Sequence, residues 1–187
     1  MLASAGSIHQ DIRFIEDNII MAKKFCNKIW NATKFVLQQI SKSKVKSQSF
    51  GKLRIDPEQG RRGQMSKLQI KNQKLTPADK KILEFLNKTI KLVNKYLDSF
   101  QFGKAMHTLY NFFWHDFCDK YIENPKSQIT NSKSQKEKEA TKKILLYILF
   151  TSLKLLHPFM PFITEEIYQK LPLKEKKKCL MVEEWPI

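Results

Sequence analysis

The stretch "KKILLYILFTSLKLLHPFMPF" (142–162) limits the folds open to this chain more than any other. From Ile144 to Leu156 it is apolar on almost every side of a helix, so a helix over roughly 138–156 has no face to give to water and must be enclosed by others. The run Ile144–Phe150 is followed at once by Thr151, Ser152 and Lys154, too short and too soon charged to cross a bilayer. It is therefore the centre of a soluble core, and the rest of the chain has to supply the wall.

The wall is helical. Over 14–40, Ile15, Ile19, Ala22, Cys26, Ile29, Val36 and Ile40 recur at three- and four-residue steps with no Pro or Gly between them, predicting one long helix. A second helix starts at "TPADKK", where Thr76 is the N-cap, Pro77 takes the first helical position and Asp79 the capping-box position. Its stripe is Ile82 or Leu83, Leu86, Ile90, Val93 and Leu97, and Gly103 breaks the pattern. A third helix runs from about Lys104 to Glu123, with Met106, Leu109, Phe113, Phe117 and Tyr121 inward, and Pro125 stops it. After the central helix, Pro158 and Pro161 force a corner. Thr164 then caps a last helix, with Glu165 and Glu166 in its first turn, ending at Pro172. The segment "CLMVEEWP" is expected to be extended. The fold class is all-α, an antiparallel bundle of about five helices.

Residues 41–75 stand apart. They hold ten basic and two acidic residues, a net +8, half of the +16 carried by all 187 residues. With few apolar residues, such a segment is a flexible basic insert, and one suited to ride on a phosphate backbone. A field this positive attracts polyanions, although only four of the 34 basic residues are Arg. The three cysteines lie far apart, without metal or disulfide spacing, which fits a reducing cytoplasm. The N-terminus has neither the basic start nor the apolar run of a signal peptide.

Two places invite a chemical reading. His157 with Glu165 and Glu166 looks like an acid–base site, but adjacent glutamates on a helix point about 100° apart and do not converge. A His before Pro at a helix end, and acids at the next helix start, are what a structural corner contains, and the corner is the favoured reading. The other place is the first helix, where Lys24, Lys28, Asn31 and Phe35 are spaced by four, three and four, on one face beside the core stripe. Cations, an amide and a ring on one face suit unstacked bases. A solvated face with Phe35 joining the core explains the same spacing, and periodicity leaves the two readings level. No phosphate loop, metal spacing or nucleophile–base set is present, so no catalytic, cofactor or metal residue is assigned.

Three blocks share a resemblance. "AKKFCNKIWNATKFVL" (22–37) resembles the first helix of the anticodon-binding domain of the valyl-tRNA synthetase family. "LNKTIKLVNKYLDSFQFGKAMHTLYNFFWHDFCDKYIE" (86–123) resembles its next two helices. "LLHPFMPFITEEIYQKLP" (155–172) resembles a corner shared by the class I synthetases for valine, isoleucine and leucine. The resemblance implies a tRNA-binding segment whose Lys28, Asn31 and Phe35 face the anticodon, the ring of Phe35 stacking on a base. Lys23 and Lys24 would meet phosphate or base edges. Position 23 is usually Arg in the family, and Lys lacks its fork geometry. The string Met65-Ser66-Lys67 resembles part of a class I catalytic loop, but no nucleotide-binding unit surrounds it.

The expected layout follows. Residues 1–13 lead out of a catalytic domain that these residues do not contain, 14–172 form the helical domain with its insert at 41–75, and 173–187 are an extension. Valine activation with ATP, and transfer to tRNA, would belong to that catalytic domain in cis. No cofactor and no membrane are expected here. The alternatives are a free-standing RNA-binding domain acting in trans, the equivalent domain of an isoleucyl or leucyl type, and a purely structural helical module.

Overall fold

The computed structural model describes residues 16–41, 75–123, 135–173 and 176–187. All of its regular structure is helical. Helix α1 is Glu16–Ser41, α2 is Pro77–Asp98 and α3 is Phe102–Asn111. The last runs on without a break into a π-helical segment, Phe112–Ile122. Helix α4 is Gln135–Leu156, α5 is Pro161–Lys170, and a single 3₁₀ turn, Leu180–Val182, lies in the tail. The insert at 41–75 lies almost wholly outside the described residues, as does Met65-Ser66-Lys67.

Helix α4 is the axis of the bundle, as its composition requires. Residues Ile144 through Leu149 are all buried, and α1, α2, α3 and α5 each lie against it. Successive helices alternate in direction. Asp79, at the start of α2, meets Tyr121 at the end of the π segment, so those two run antiparallel. Phe25 touches Tyr110, Phe113 and Trp114, whereas Lys28 reaches Asp119 and Glu123, so α1 runs parallel to the third helix.

One buried carboxylate ties an end of the bundle together. The capping box at Thr76 is present in both directions: Asp79 N–H donates to Thr76 Oγ1 at 3.2 Å and Thr76 N–H donates to Asp79 Oδ2 at 3.1 Å. The same carboxylate, 1% exposed, accepts from the Tyr121 hydroxyl at 2.5 Å and from Thr141 Oγ1 at 3.4 Å. A buried charge is tolerable only when its lone pairs are met, and here α2, the π segment and α4 each supply a donor.

The stripe expected on α1 is shifted. Ile29 and Val36 are buried, but the other inward positions are Phe25, Ala32 and Thr33. Cys26 and Ala22 are half-buried and Ile19 is 48% exposed. Phe25 is the first buried residue of α1, and its ring fills the space beside Tyr110, Phe113 and Trp114; full burial of such a side chain contributes about 1.5–3 kcal/mol.

Three boundaries also differ. The turn after α2 is made by Phe100, in the left-handed region at φ 55°, while Gly103 sits inside α3. Helix α5 begins at Pro161, whose fixed φ suits the first helical position, so Thr164 lies inside the helix and Glu165 and Glu166 fall beyond its first turn. The tail makes the 3₁₀ turn, with Cys179 and Glu183 extended on either side.

Candidate nucleic-acid interface

Helix α1 displays two parallel stripes, one on each flank of its buried edge. At 100° per residue, Lys24, Lys28, Asn31 and Phe35 fall together, and Lys23, Trp30 and Lys34 fall together on the other side. Lys23 is thus separated from the other four residues expected at the site. Lys23, Lys24 and Asn31 are exposed and Phe35 is half-buried. Phe35 stands outside the described hydrophobic core and the residues packed on it, whereas Trp30, Leu37 and Ile40 belong to that layer.

Lys28 has a different environment from its neighbours. Its ammonium donates to Asp119 Oδ1 at 2.9 Å and to Glu123 Oε1 at 2.6 Å, and it lies 5.5 Å from the centre of the Trp114 ring. Burial works against its charge, but the bonds to Glu123 and Asp119 outweigh that and hold its pKa above the ordinary lysine range. Asp119 also meets His115 Nδ1 at 3.2 Å, and despite partial burial its carboxyl is held below the usual range by Lys28 and His115. Two carboxylates against one ammonium leave this patch with a net charge of −1 when His115 is neutral.

The opposite flank is cationic. Lys34 and Lys170 approach the Trp30 ring to 5.9 Å and 5.3 Å. The ring offers stacking surface beside two ammonium groups, of which Lys170 is also paired with Glu166. Lys170 comes from α5, so this pairing is not visible in the sequence of α1. Trp114, Asp119 and Glu123 were equally absent from the expected site. Their only signal is the four-residue spacing of His115, Asp119 and Glu123 in "HDFCDKYIE".

The corner at 157–166 is occupied by structural bonds. The Thr164 hydroxyl can donate only one proton, and the carbonyls of Met160 and Pro161 lie 2.8 Å and 3.1 Å away. His157 Nδ1 lies 2.8 Å from the same oxygen, so the histidine is tied to the start of the next helix. Glu165 accepts from Gln169 at 2.6 Å and from the Leu180 amide at 2.8 Å, and Glu166 pairs with Lys170. The histidine and the glutamates thus serve different joints of the fold.

A helical bundle whose first helix sets lysines beside aromatic rings offers the residue types that contact RNA, and comparison with known proteins gives its family. Residues 79–187 match the family described as the anticodon-binding domain of tRNA ligase, and this chain belongs to that family. It is also similar over its whole length to valine–tRNA ligases. It is 38% identical over 187 residues to the enzyme of Fervidobacterium nodosum, and 37% identical over 185 residues to those of Geobacillus kaustophilus and Bacillus subtilis. These alignments cover 99–100% of this chain and 18% of each relative. Helix α1, which carries the stripes, precedes the family match but lies within the similarity to the ligases.

Proposed function

We propose that this chain is the tRNA-binding part of a valine–tRNA ligase and holds an anticodon stem-loop against α1. The observation that carries this reading is Phe35: a half-buried aromatic ring outside the core, one turn from the exposed amide of Asn31, on a helix matched by valine–tRNA ligases. Asn31 reads a base edge and Phe35 stacks on a base. Lys24 contacts phosphate on the same stripe, with Lys23 doing so from the far flank. Lys28 is the fifth member, and its ion pairs condition its part.

Valine activation with ATP and transfer to the tRNA would fall to a catalytic domain in cis. The relatives are more than five times longer than the matched region, leaving room for it. The exposed side chains of Ile19, Ile20 and Met21, 47–49% accessible, support a contact with that remainder. We place the whole in the cytoplasm; among the described residues no helix is long and apolar enough to cross a membrane.

The test is equilibrium binding of three RNA hairpins: one with a valine anticodon, one with that anticodon changed, and one unrelated. The valine hairpin should bind tightest, and Phe35→Ala should weaken it by about tenfold, the scale of one lost base stack. Equal binding of all three by the parent chain, vanishing with salt, would make this a generic basic bundle.

A further inference from the structure

Lysines on the recognition helix differ sharply in how free they are. Among the described residues Lys23 and Lys24 are exposed and enter no ion pair, while Lys28, 23% exposed, is held by two carboxylates that lie 91 and 95 residues further along the chain. A cation meant only to attract phosphate gains nothing from such partners, and a cation meant only to join α1 to the π segment needs one.

We propose that Asp119 and Glu123 form a selectivity filter on Lys28, withholding its ammonium from generic phosphate and releasing it only to RNA already seated on α1. This rests on the function proposed above. Around the ammonium stand Asp119, Glu123 and Trp114, with His115 on the far oxygen of Asp119. The nearby Asp116 is already paired with Lys120. A passing phosphate must displace two charge-assisted bonds and approach a net negative patch, and a single exposed ion pair does not repay that. An RNA docked through Asn31 and Phe35 presents its phosphate or base at high effective concentration, and competes on better terms. Lys28 then contributes to the matched complex without adding to binding of every other RNA. Glu123, with a side chain 59% exposed, is the partner that can swing away, whereas Asp119 is anchored by His115.

The filter predicts a gain in affinity from removing negative charge, with a signature in salt. The double substitution Asp119→Asn with Glu123→Gln should tighten binding of an unrelated single-stranded RNA by roughly five- to tenfold and steepen its log–log salt slope by about 0.7, the share of one extra phosphate contact. Adding Lys28→Met should abolish both changes. The ratio of matched to unrelated affinity should narrow in the double variant. Unchanged or weaker binding of unrelated RNA would overturn the filter, as would a gain that survives Lys28→Met, because that gain would come from overall charge. Asp119→Asn alone, nearly isosteric, repeats the test if the double variant melts early. The unrelated RNA judges the filter, and the anticodon preference of the parent chain judges the proposed function, so the two fail separately.

Discussion

Cys118 sits between the core and the Lys28 cluster, and its thiol records that position. It is 2% exposed, and burial raises its pKa from 9.0 to about 12, with Asp119 and Glu123 adding to the shift and Lys28 opposing it. In the unfolded chain the thiol ionises near its ordinary value. Stability from this group is therefore complete below about pH 9 and is lost as pH rises toward 12, at up to about 1.4 kcal/mol per pH unit. Urea unfolding between pH 8 and pH 11 should show a shallower alkaline decline for Cys118→Ala than for the parent. Equal slopes would mean that the thiol ionises freely in the folded chain. At this scale the sequence was informative about kind and poor about partners. The stripe Lys24, Lys28, Asn31, Phe35 could be placed on one face from spacing alone. That Lys28 is neutralised by Asp119 and Glu123 could not, since helix periodicity carries no information on contacts 91 residues away.

Among the elements, α4 was legible because a run with no polar face has one place to go, and α2 because Thr76, Pro77 and Asp79 spell out its start. The π segment was not. Its inward residues, Phe113, Phe117 and Tyr121, step by four, and that step fits an α-helix as well as it fits this one. The corner misled through Thr164, whose side chain suits an N-cap; Pro161, which loses nothing at a first helical position, takes the start of α5 instead. The tail is held by contacts that pattern does not encode. Trp185 Nε1 donates to Asn94 Oδ1 at 2.8 Å, Asn94 Nδ2 donates to the Pro186 carbonyl at 3.0 Å, and Lys154 donates to the Glu184 carbonyl at 3.0 Å. Asn94→Ala removes two of the three. Its effect should be local: the indole N–H resonance of Trp185 moves to the position of free tryptophan while those of Trp30 and Trp114 stay. Movement of all three would show that the clamp supports the whole bundle.

Over the whole molecule, the exposed large hydrophobics gather at one end. The start of α1, the Phe100–Phe102 turn, the start of α5 and the tail lie at one end and carry the exposed large hydrophobics, from Ile19 and Phe100 to Phe162 and Trp185. The basic segment 42–74 joins the bundle at the other end, after Ser41 and before Leu75, beside the Asp79 joint. Replacing 42–74 with a neutral linker should flatten the salt dependence of RNA binding and leave the preference among anticodons in place, since non-specific affinity scales with released counterions. An unchanged slope would take the segment out of RNA binding. The central claim, that the Lys24, Lys28, Asn31 and Phe35 stripe of α1 reads the anticodon, is tested most directly by cross-linking. A valine-anticodon hairpin carrying a photoreactive base in its loop is irradiated with the chain, and the modified peptides are mapped. Cross-links at Asn31 and Phe35, absent when the anticodon is changed, are the predicted result. Cross-links confined to 42–74, whatever the anticodon, would contradict it.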